Sequence, residues 1–265
     1  MAMKTVMMDQ ASTMQKTELA DAHCHLDMLG SDEVVAESLG YGVNIMVTNG
    51  VDTMSNVKTL SIADGRHVFP ALGIDPQHAV SMLDDEVKFN LDMIRSNRDR
   101  IVAIGEVGLD YVISESPAQL AMQHKVFESM IDIALELGKP ISVHSRRAIG
   151  DVLDILEEKG VKKAHVHFFE GDEEHAARVM ELGYMVSVPP QKSAKRSRVL
   201  KLVNPSNIMA ESDSPAAGSS PKSVEESVKI IADSKGMSYD EAAAITTANT
   251  KRFFNIGSVI GIRKI

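Results

Sequence analysis

The sequence lacks features that several classes of protein require. It has one cysteine, Cys24, which excludes an internal disulfide and fits a reducing compartment such as the cytoplasm. No apolar run approaches the roughly 20 residues that a membrane-spanning helix needs. The sequence also lacks an excess of positive charge: 37 Asp and Glu against 28 Lys and Arg give a formal net charge of −9, which argues against long-range attraction to nucleic acid, although a local basic patch or a bound cation could override it. No linker, repeat or low-complexity tract indicates a second domain.

The N-terminal segment differs from the rest of the chain. Its first 18 residues are polar and rich in methionine, without a continuous apolar stretch or a small-residue cleavage site. They are therefore not typical of a secretory signal. We predict a flexible arm over residues 1–18 and one domain over residues 19–265; a later translation start at Met7, Met8 or Met14 is the alternative.

Short β-branched runs alternate with longer segments of helical period, such as Ser116–Gly138, which a glycine and then Pro140 bring to an end. Parallel neighbours need a crossover connection, so this alternation predicts an α/β fold. The length of 265 residues is close to the roughly 250 of a (β/α)₈ TIM barrel, and eight strands favour that barrel over an open doubly wound sheet. The predicted strands are Leu19–Leu26, Val43–Thr48, Val68–Ile74, Ile101–Val107, Ile141–His144, Ala164–Phe168, Tyr184–Val188 and Ile208–Glu211.

Five of these strands end in residue types that bind metal ions. In a β/α barrel the carboxyl ends of all strands meet at one face, where the catalytic loops lie. The pattern therefore predicts a metal centre at that face. The candidate residues are His23, His25, Glu106, His144, His165, His167, Glu211 and Asp213.

The spacing of these residues indicates which of them could hold the same ion. Side chains alternate along a strand, so His23 and His25 project the same way and can hold one ion, whereas Cys24 faces the helical layer. Glu106 follows a buried run, and bridging two cations would remove the cost of burying its charge.

Further candidates come from the later strands. His144 and His167 suit a second ion. Asp213 could bind metal and accept a proton from the attacking water. His165 sits a layer deeper than His167, which favours packing or support of a ligand, and Glu211 is a candidate for orienting a ligand or contacting the substrate.

Six segments in sequence order resemble the motifs of the TatD family of metal-dependent hydrolases, from about Asp21 to Phe254. The resemblance implies an amidohydrolase-like barrel, two divalent ions and a deoxyribonuclease activity. It also implies that His23 and His25 hold one ion, that His144 and His167 hold the other, that Glu106 bridges them, and that Asp213 positions or deprotonates the water. The segments are Asp21–Asp27, Ile104–Tyr111, Val143–Arg146, His167–Gly171, Glu211–Pro215 and Asn249–Phe254.

Three segments depart from the family pattern at the edge of the expected substrate pocket. Gly73-Ile-Asp-Pro76 places Asp75 where a histidine is usual, with His78 close by. His167-Phe-Phe-Glu-Gly171 carries bulk and charge where small residues are common, and Val188-Pro-Pro-Gln-Lys192 lacks the usual Ser-Gly. Substrate identity is therefore less constrained than the metal site.

Basic residues near the expected pocket favour an anionic substrate. Arg146 follows a ligand strand and is a candidate phosphate contact, as is the basic group over residues 192–201, which also fits a solvated helix face. We take Arg146, Asp75 and Glu211 as substrate-binding candidates. The ions are expected to be zinc, manganese or magnesium; iron and cobalt also suit these ligands, whereas a purely magnesium-preferring site usually has fewer histidines.

Three functions remain open from the sequence. The first is a metal-dependent phosphodiesterase that acts on DNA or a nucleotide. The second is an amidohydrolase, lactonase or phosphotriesterase-like enzyme acting on a small molecule; relatives of that kind often bridge their ions with a carboxylated lysine, so Glu106 favours the first. The third is a binding protein on a barrel that has lost its activity, against which the ligand set argues. Nothing indicates a membrane partner, and no oligomeric state is specified.

Overall fold

A computed structural model of the protein describes residues 17–30, 32–114 and 116–257. Eight strands form one sheet in the order β1 to β8, and every neighbouring pair is parallel. The strands are β1 Leu19–Cys24, β2 Val43–Asn49, β3 Val68–Leu72, β4 Ala103–Asp110, β5 Ile141–Arg146, β6 Ala164–Val166, β7 Met185–Val188 and β8 Ile208–Ala210.

Backbone hydrogen bonds bring the two edges of this sheet together. The amide of Asp213, just after β8, donates to the carbonyl of His23 at 2.9 Å, and the amide of His25 donates to the carbonyl of Ser214 at 2.8 Å. The predicted (β/α)₈ TIM barrel is confirmed. All eight predicted strands are present, with ends that differ by a few residues.

Helices follow every strand and cover the outside of the barrel. The longest, α6, follows the predicted signals: Ser116 accepts a hydrogen bond from the amide of Gln119, and Gly138 ends the helix at φ 63°. The helices are α1 Leu26–Leu29, α2 Asp32–Gly40, α3 Thr53–Ile62, α4 Pro76–Ala79, α5 Asp84–Ser96, α6 Pro117–Leu137, α7 Ile149–Glu158, α8 Glu173–Leu182, α9 Ala194–Leu200, α10 Val224–Lys235 and α11 Tyr239–Phe253.

The core has two parts. A large cluster lies between the strands and the helices, and it includes Cys24, as predicted from the alternation along β1. A smaller cluster includes alternate strand residues such as Ala22 and Met209 together with Phe253 and Phe254 from the end of α11. These two rings also contact the imidazole of His165, at 6.1 Å between ring centroids in each case. The phenylalanines therefore pack beneath the histidines of the barrel interior.

The predicted arm over residues 1–18 lies outside the described residues except for Thr17 and Glu18. Both contact α11: the Thr17 hydroxyl donates to Asp240 at 2.7 Å, and the Thr247 hydroxyl donates to the Glu18 carbonyl at 3.1 Å. The division at residue 18 stays a prediction. Among the helices of the described ranges, none combines the length and the apolar character needed to cross a membrane.

Candidate metal centre

The structure brings six predicted ligands together at the carboxyl ends of the strands. Because β1, β4, β5, β6 and β8 all end at this face, residues far apart in sequence become neighbours. Three groups among them have ligand atoms within 4.8 Å of one another. Those groups are His23 with His25 and Glu106, Glu106 with His144 and His167, and His23 with His167 and Asp213.

The first histidine pair faces one oxygen of Glu106. The Nε2 atoms of His23 and His25 lie 3.2 Å apart. Glu106 Oε2 lies 3.3 Å from His23 Nε2 and 3.2 Å from His25 Nε2. All three side chains are buried, so this triangle of donor atoms lies in the barrel interior.

The second histidine pair faces the other oxygen of the same carboxylate. Glu106 Oε1 lies 2.9 Å from His144 Nδ1 and 3.1 Å from His167 Nε2. The two imidazole nitrogens are 3.3 Å apart. The two Glu106 oxygens are therefore divided between two histidine pairs.

These distances test whether the residues suit a metal ion. Two adjacent ligands bound at about 2.0–2.1 Å to one tetrahedral or octahedral ion lie roughly 2.8–3.4 Å apart. The donor atoms within each Glu106 triangle are 2.9–3.3 Å apart. The donor set of imidazole and carboxylate also suits zinc or manganese. The residues fit divalent cations.

The ring nitrogens that point away from Glu106 also indicate that these histidines fit a divalent cation. His25 Nδ1 lies 2.9 Å from the carbonyl oxygen of Asn49, so in the neutral imidazole that a cation requires, the proton is on Nδ1 and Nε2 is bare. His144 Nε2 lies 3.2 Å from Asp110 Oδ2, which places the proton of the neutral ring on Nε2 and leaves Nδ1 bare. Metal-binding histidines typically donate their second nitrogen to a carboxylate or a carbonyl.

Asp213 lies at the edge of the cluster that the six predicted ligands form. Its Oδ1 is 3.6 Å from His25 Nε2 and 3.9 Å from His23 Nε2, farther away than Glu106 is. It also lines a cavity of about 380 Å³ together with His144, His167 and Arg146. Asp213 thus stands between the buried donors and the space open to a substrate.

Without a cation, the acids hold protons on the histidines. Burial alone would lower the pKa of His144, but hydrogen bonds to Asp110 and Glu106 raise it to about 9. The pKa of His167 is likewise raised to about 10, because attraction to Glu106 outweighs burial. Burial also opposes ionisation of Glu106, yet the neighbouring histidines hold the pKa of that carboxyl well below its ordinary value.

Cation binding should therefore release protons. Near neutral pH, below both raised values, His144 and His167 are protonated in the ion-free protein, and a cation requires the neutral imidazole. We expect zinc titrations by calorimetry in buffers of different ionisation enthalpy to show net proton release near pH 7 that fades above about pH 10. The affinity for the ion should rise with pH over the same interval. Equal binding heats in all buffers near neutrality would contradict this expectation.

The three predicted substrate contacts occupy different environments. Arg146 is 56% exposed, lines the cavity and lies 3.9 Å from Asp110. Asp75 accepts hydrogen bonds from the backbone and the imidazole of His78 at the start of α4. Glu211 is fully buried, and its oxygens accept from the Phe168 amide and the Ser187 hydroxyl, so a direct substrate contact by Glu211 is not supported by this placement.

The basic group over residues 192–201 is largely engaged. Arg196 turns inward and donates to the carbonyls of Phe169 and Gln191. Lys192 pairs with Glu226, Arg198 pairs with Glu173, and Lys195 donates to the Glu170 carbonyl. These contacts favour a solvated helix face with one structural arginine over a continuous phosphate-binding surface.

Several residues that contact the cluster were not singled out from the sequence. They are Asn49, Asp110, Ser142 and Ser187, each bonded to a histidine. One signal was available for Asp110, which lies four residues after Glu106 on β4 and therefore on the same face. Serine and asparagine inside strands carry no comparable signal.

An eight-stranded parallel barrel with a buried histidine and carboxylate centre at the carboxyl ends of its strands defines a class of protein: metal-dependent hydrolases. Comparisons with known proteins identify the family. The family described as TatD related DNase matches residues 20–255. The chain belongs to the TatD family, as the motifs predicted.

Individual relatives match over nearly the whole chain. The human deoxyribonuclease TATDN3 is 30% identical over 260 residues, covering 89% of this chain and 94% of that protein. The metal-dependent hydrolase YabD of Bacillus subtilis is 30% identical over 257 residues, covering 90% and 99%. The crystal structure of YJJV, a TatD homologue from Escherichia coli, superposes with a TM-score of 0.83 at 21% identity, covering 91% of this chain and 100% of that one.

The family assignment settles the general class of reaction. The protein is a metal-dependent hydrolase of the TatD type. An amidohydrolase acting on a small molecule is not favoured, and neither is a barrel without catalysis.

Proposed function

We propose that the protein is a deoxyribonuclease that hydrolyses phosphodiester bonds with two divalent cations. The observation that carries this proposal is the division of the Glu106 oxygens between two histidine pairs, at 3.2–3.3 Å and 2.9–3.1 Å. A single carboxylate between two pairs of imidazoles is the ligand set of a two-metal site. Relatives named as deoxyribonucleases support the choice of a phosphodiester substrate.

Each ligand has a defined role in this proposal. His23 and His25 would hold one cation, His144 and His167 would hold the other, and Glu106 would offer one oxygen to each pair. When bound, such cations would supply activation of a water and stabilisation of charge on the phosphoryl oxygens. Four imidazoles favour zinc or manganese over magnesium, which prefers oxygen ligands.

Asp213 is the proposed general base. It lies within 4 Å of the first histidine pair and also lines the cavity. Burial opposes its ionisation, but the hydrogen bond to His25 and the nearby histidines lower the pKa of this carboxyl, so it is ionised at neutral pH. An ionised carboxylate beside the nucleophilic water can accept its proton.

The cavity beside the second histidine pair is the proposed substrate site. Arg146 stands at its wall and is mostly exposed, so its guanidinium is available to a phosphate oxygen. Because the net charge is −9, such local cations and the bound metal would have to supply the attraction for DNA.

The single buried cysteine supports a cytoplasmic setting.

A nuclease assay with a matched histidine control tests this proposal. Purified protein with manganese, zinc or magnesium should degrade short DNA, and His144→Ala should reduce the rate to background because one ligand of the second cation is lost. His67→Ala is the control, since His67 precedes β3 and bonds Asn44 at the opposite end of the barrel. Equal DNA degradation by wild type and His144→Ala would refute the nuclease assignment.

A further inference from the structure

A continuous chain of hydrogen bonds crosses the barrel interior beneath the metal centre. His23 Nδ1 lies 3.3 Å from the Ser142 hydroxyl, which lies 3.1 Å from His165 Nδ1. His165 Nε2 lies 2.7 Å from the Ser187 hydroxyl, which donates to Glu211 Oε2 at 2.6 Å. All five side chains are fully buried, and among the described residues the side chains of Ser142, His165 and Ser187 hydrogen-bond only to their neighbours in this chain of bonds.

The far end of this chain fixes the direction of every bond. A carboxylate only accepts, and the other Glu211 oxygen already accepts from the Phe168 amide at 2.7 Å. The single Ser187 proton must therefore point to Glu211, which leaves the Ser187 oxygen to accept from His165 Nε2. A neutral His165 then has a bare Nδ1, and the Ser142 proton must point to it.

The same argument determines which nitrogen of His23, at the metal centre, carries the proton. Because the Ser142 hydroxyl donates to His165, its oxygen must accept from His23 Nδ1. His23 then carries its proton on Nδ1 and presents a bare Nε2 to the cluster, 3.3 Å from Glu106 Oε2. His165 is fully buried, with the rings of Phe253 and Phe254 at 6.1 Å, and its hydrogen-bond partners among the described residues are two serine hydroxyls, so no bonded carboxylate favours a second proton on its ring.

We propose that Glu211, Ser187, His165 and Ser142 form a positioning relay that sets the tautomer of His23 and so prepares its Nε2 to bind a cation. Because the relay is proposed to prepare a metal ligand, this inference rests on the proposed metal centre. The hydrogen-bond directions rest only on the buried contacts, and they exist in the ion-free protein. The relay gives Glu211 and His165 a role at a distance from the substrate.

The relay predicts the tautomers of two histidines. In the ion-free wild type at neutral pH, His23 should be protonated at Nδ1 and His165 at Nε2. Nitrogen-15 chemical shifts of labelled imidazoles distinguish the two tautomers, and the resonances are assigned by their loss in His23→Asn and His165→Asn. A wild-type His23 protonated at Nε2 would overturn the proposal without any variant in the relay.

Glu211→Gln should reverse the relay. The Phe168 amide requires an acceptor, so the glutamine oxygen remains there and its NH₂ group faces Ser187. Each later bond then changes direction, which places the His23 proton on Nε2 and the His165 proton on Nδ1. Unchanged tautomers in a folded Glu211→Gln protein would overturn the proposal.

Metal affinity supplies an independent measurement. Ser142→Ala removes one hydroxyl from the relay, and we expect chelator competition to show zinc affinity lowered about 10–100-fold, the usual cost of losing a hydrogen bond to a metal ligand. Ser38→Ala is the matched control, a fully buried serine in α2 whose hydroxyl donates to the Val34 carbonyl at 2.7 Å. Equal zinc affinity in the two variants would overturn the proposal. Failure of DNA cleavage alone would refute the nuclease function and leave the tautomer results standing.

Discussion

A Glu106→Gln variant should bind both cations at least about 100-fold more weakly, since losing an outer hydrogen-bond partner alone costs 10–100-fold. Glutamine offers one oxygen where the carboxylate divides two between the histidine pairs, and its NH₂ group cannot ligate a cation. The negative charge that compensates the buried imidazoles is also lost. Elemental analysis after gentle purification and a DNA cleavage assay should both show the loss.

Glu128→Gln is the control for this experiment. Glu128 is a half-exposed acid near Lys159 on the outside of the barrel, so its replacement removes one carboxylate without touching the metal centre. Its metal content and activity should equal those of the wild type. Full metal content in a folded Glu106→Gln protein would contradict the bridging role.

An Asp213→Asn variant should separate metal binding from catalysis. Asparagine retains an oxygen that can face the cluster but cannot accept a proton, and it tolerates the positive φ of 43° at this position as well as aspartate does. We expect kcat to fall about 10²–10⁴-fold, the usual contribution of a general base. Metal content should change much less, as elemental analysis of the same sample would show.

The result distinguishes two roles for Asp213. If the variant loses metal in proportion to activity, Asp213 acts as a ligand and another group is the base. If the variant keeps full activity, Asp213 has neither role in the rate-determining step. Asp99→Asn, a change in an almost fully exposed side chain, is the control and should leave kcat unchanged.

The convergence of the candidate ligands at one face of the barrel could be predicted because strand ends are local features. The run from Ile101 to Gly105 reads as a buried strand, and Glu106 follows it directly. The alternation of side chains places His23 and His25 on one face and Cys24 on the other. In a parallel barrel these ends must meet, so ligands could be proposed without knowing any contact.

The contacts within the centre depend on how the strands are placed around the barrel. Which Glu106 oxygen meets which histidine pair follows from the barrel diameter and the offset between strands. The roles of Ser142 and Ser187 follow from the layer in which each side chain lies, which the sequence does not specify. The inward turn of Arg196 was missed because α9 has seven residues of which three are basic, and the sequence does not distinguish Arg196 from the other two.

The sequence by itself determined the order of strands and helices, the barrel, the family and the residue types at the strand ends, because these follow from local hydrophobic period and motif order. Only the tertiary structure decided the division of the Glu106 oxygens between two histidine pairs, the full burial of Glu211 and the chain of hydrogen bonds from Glu211 to His23. Those depend on distances between strands that are far apart in sequence, and these distances are set by packing of the whole barrel.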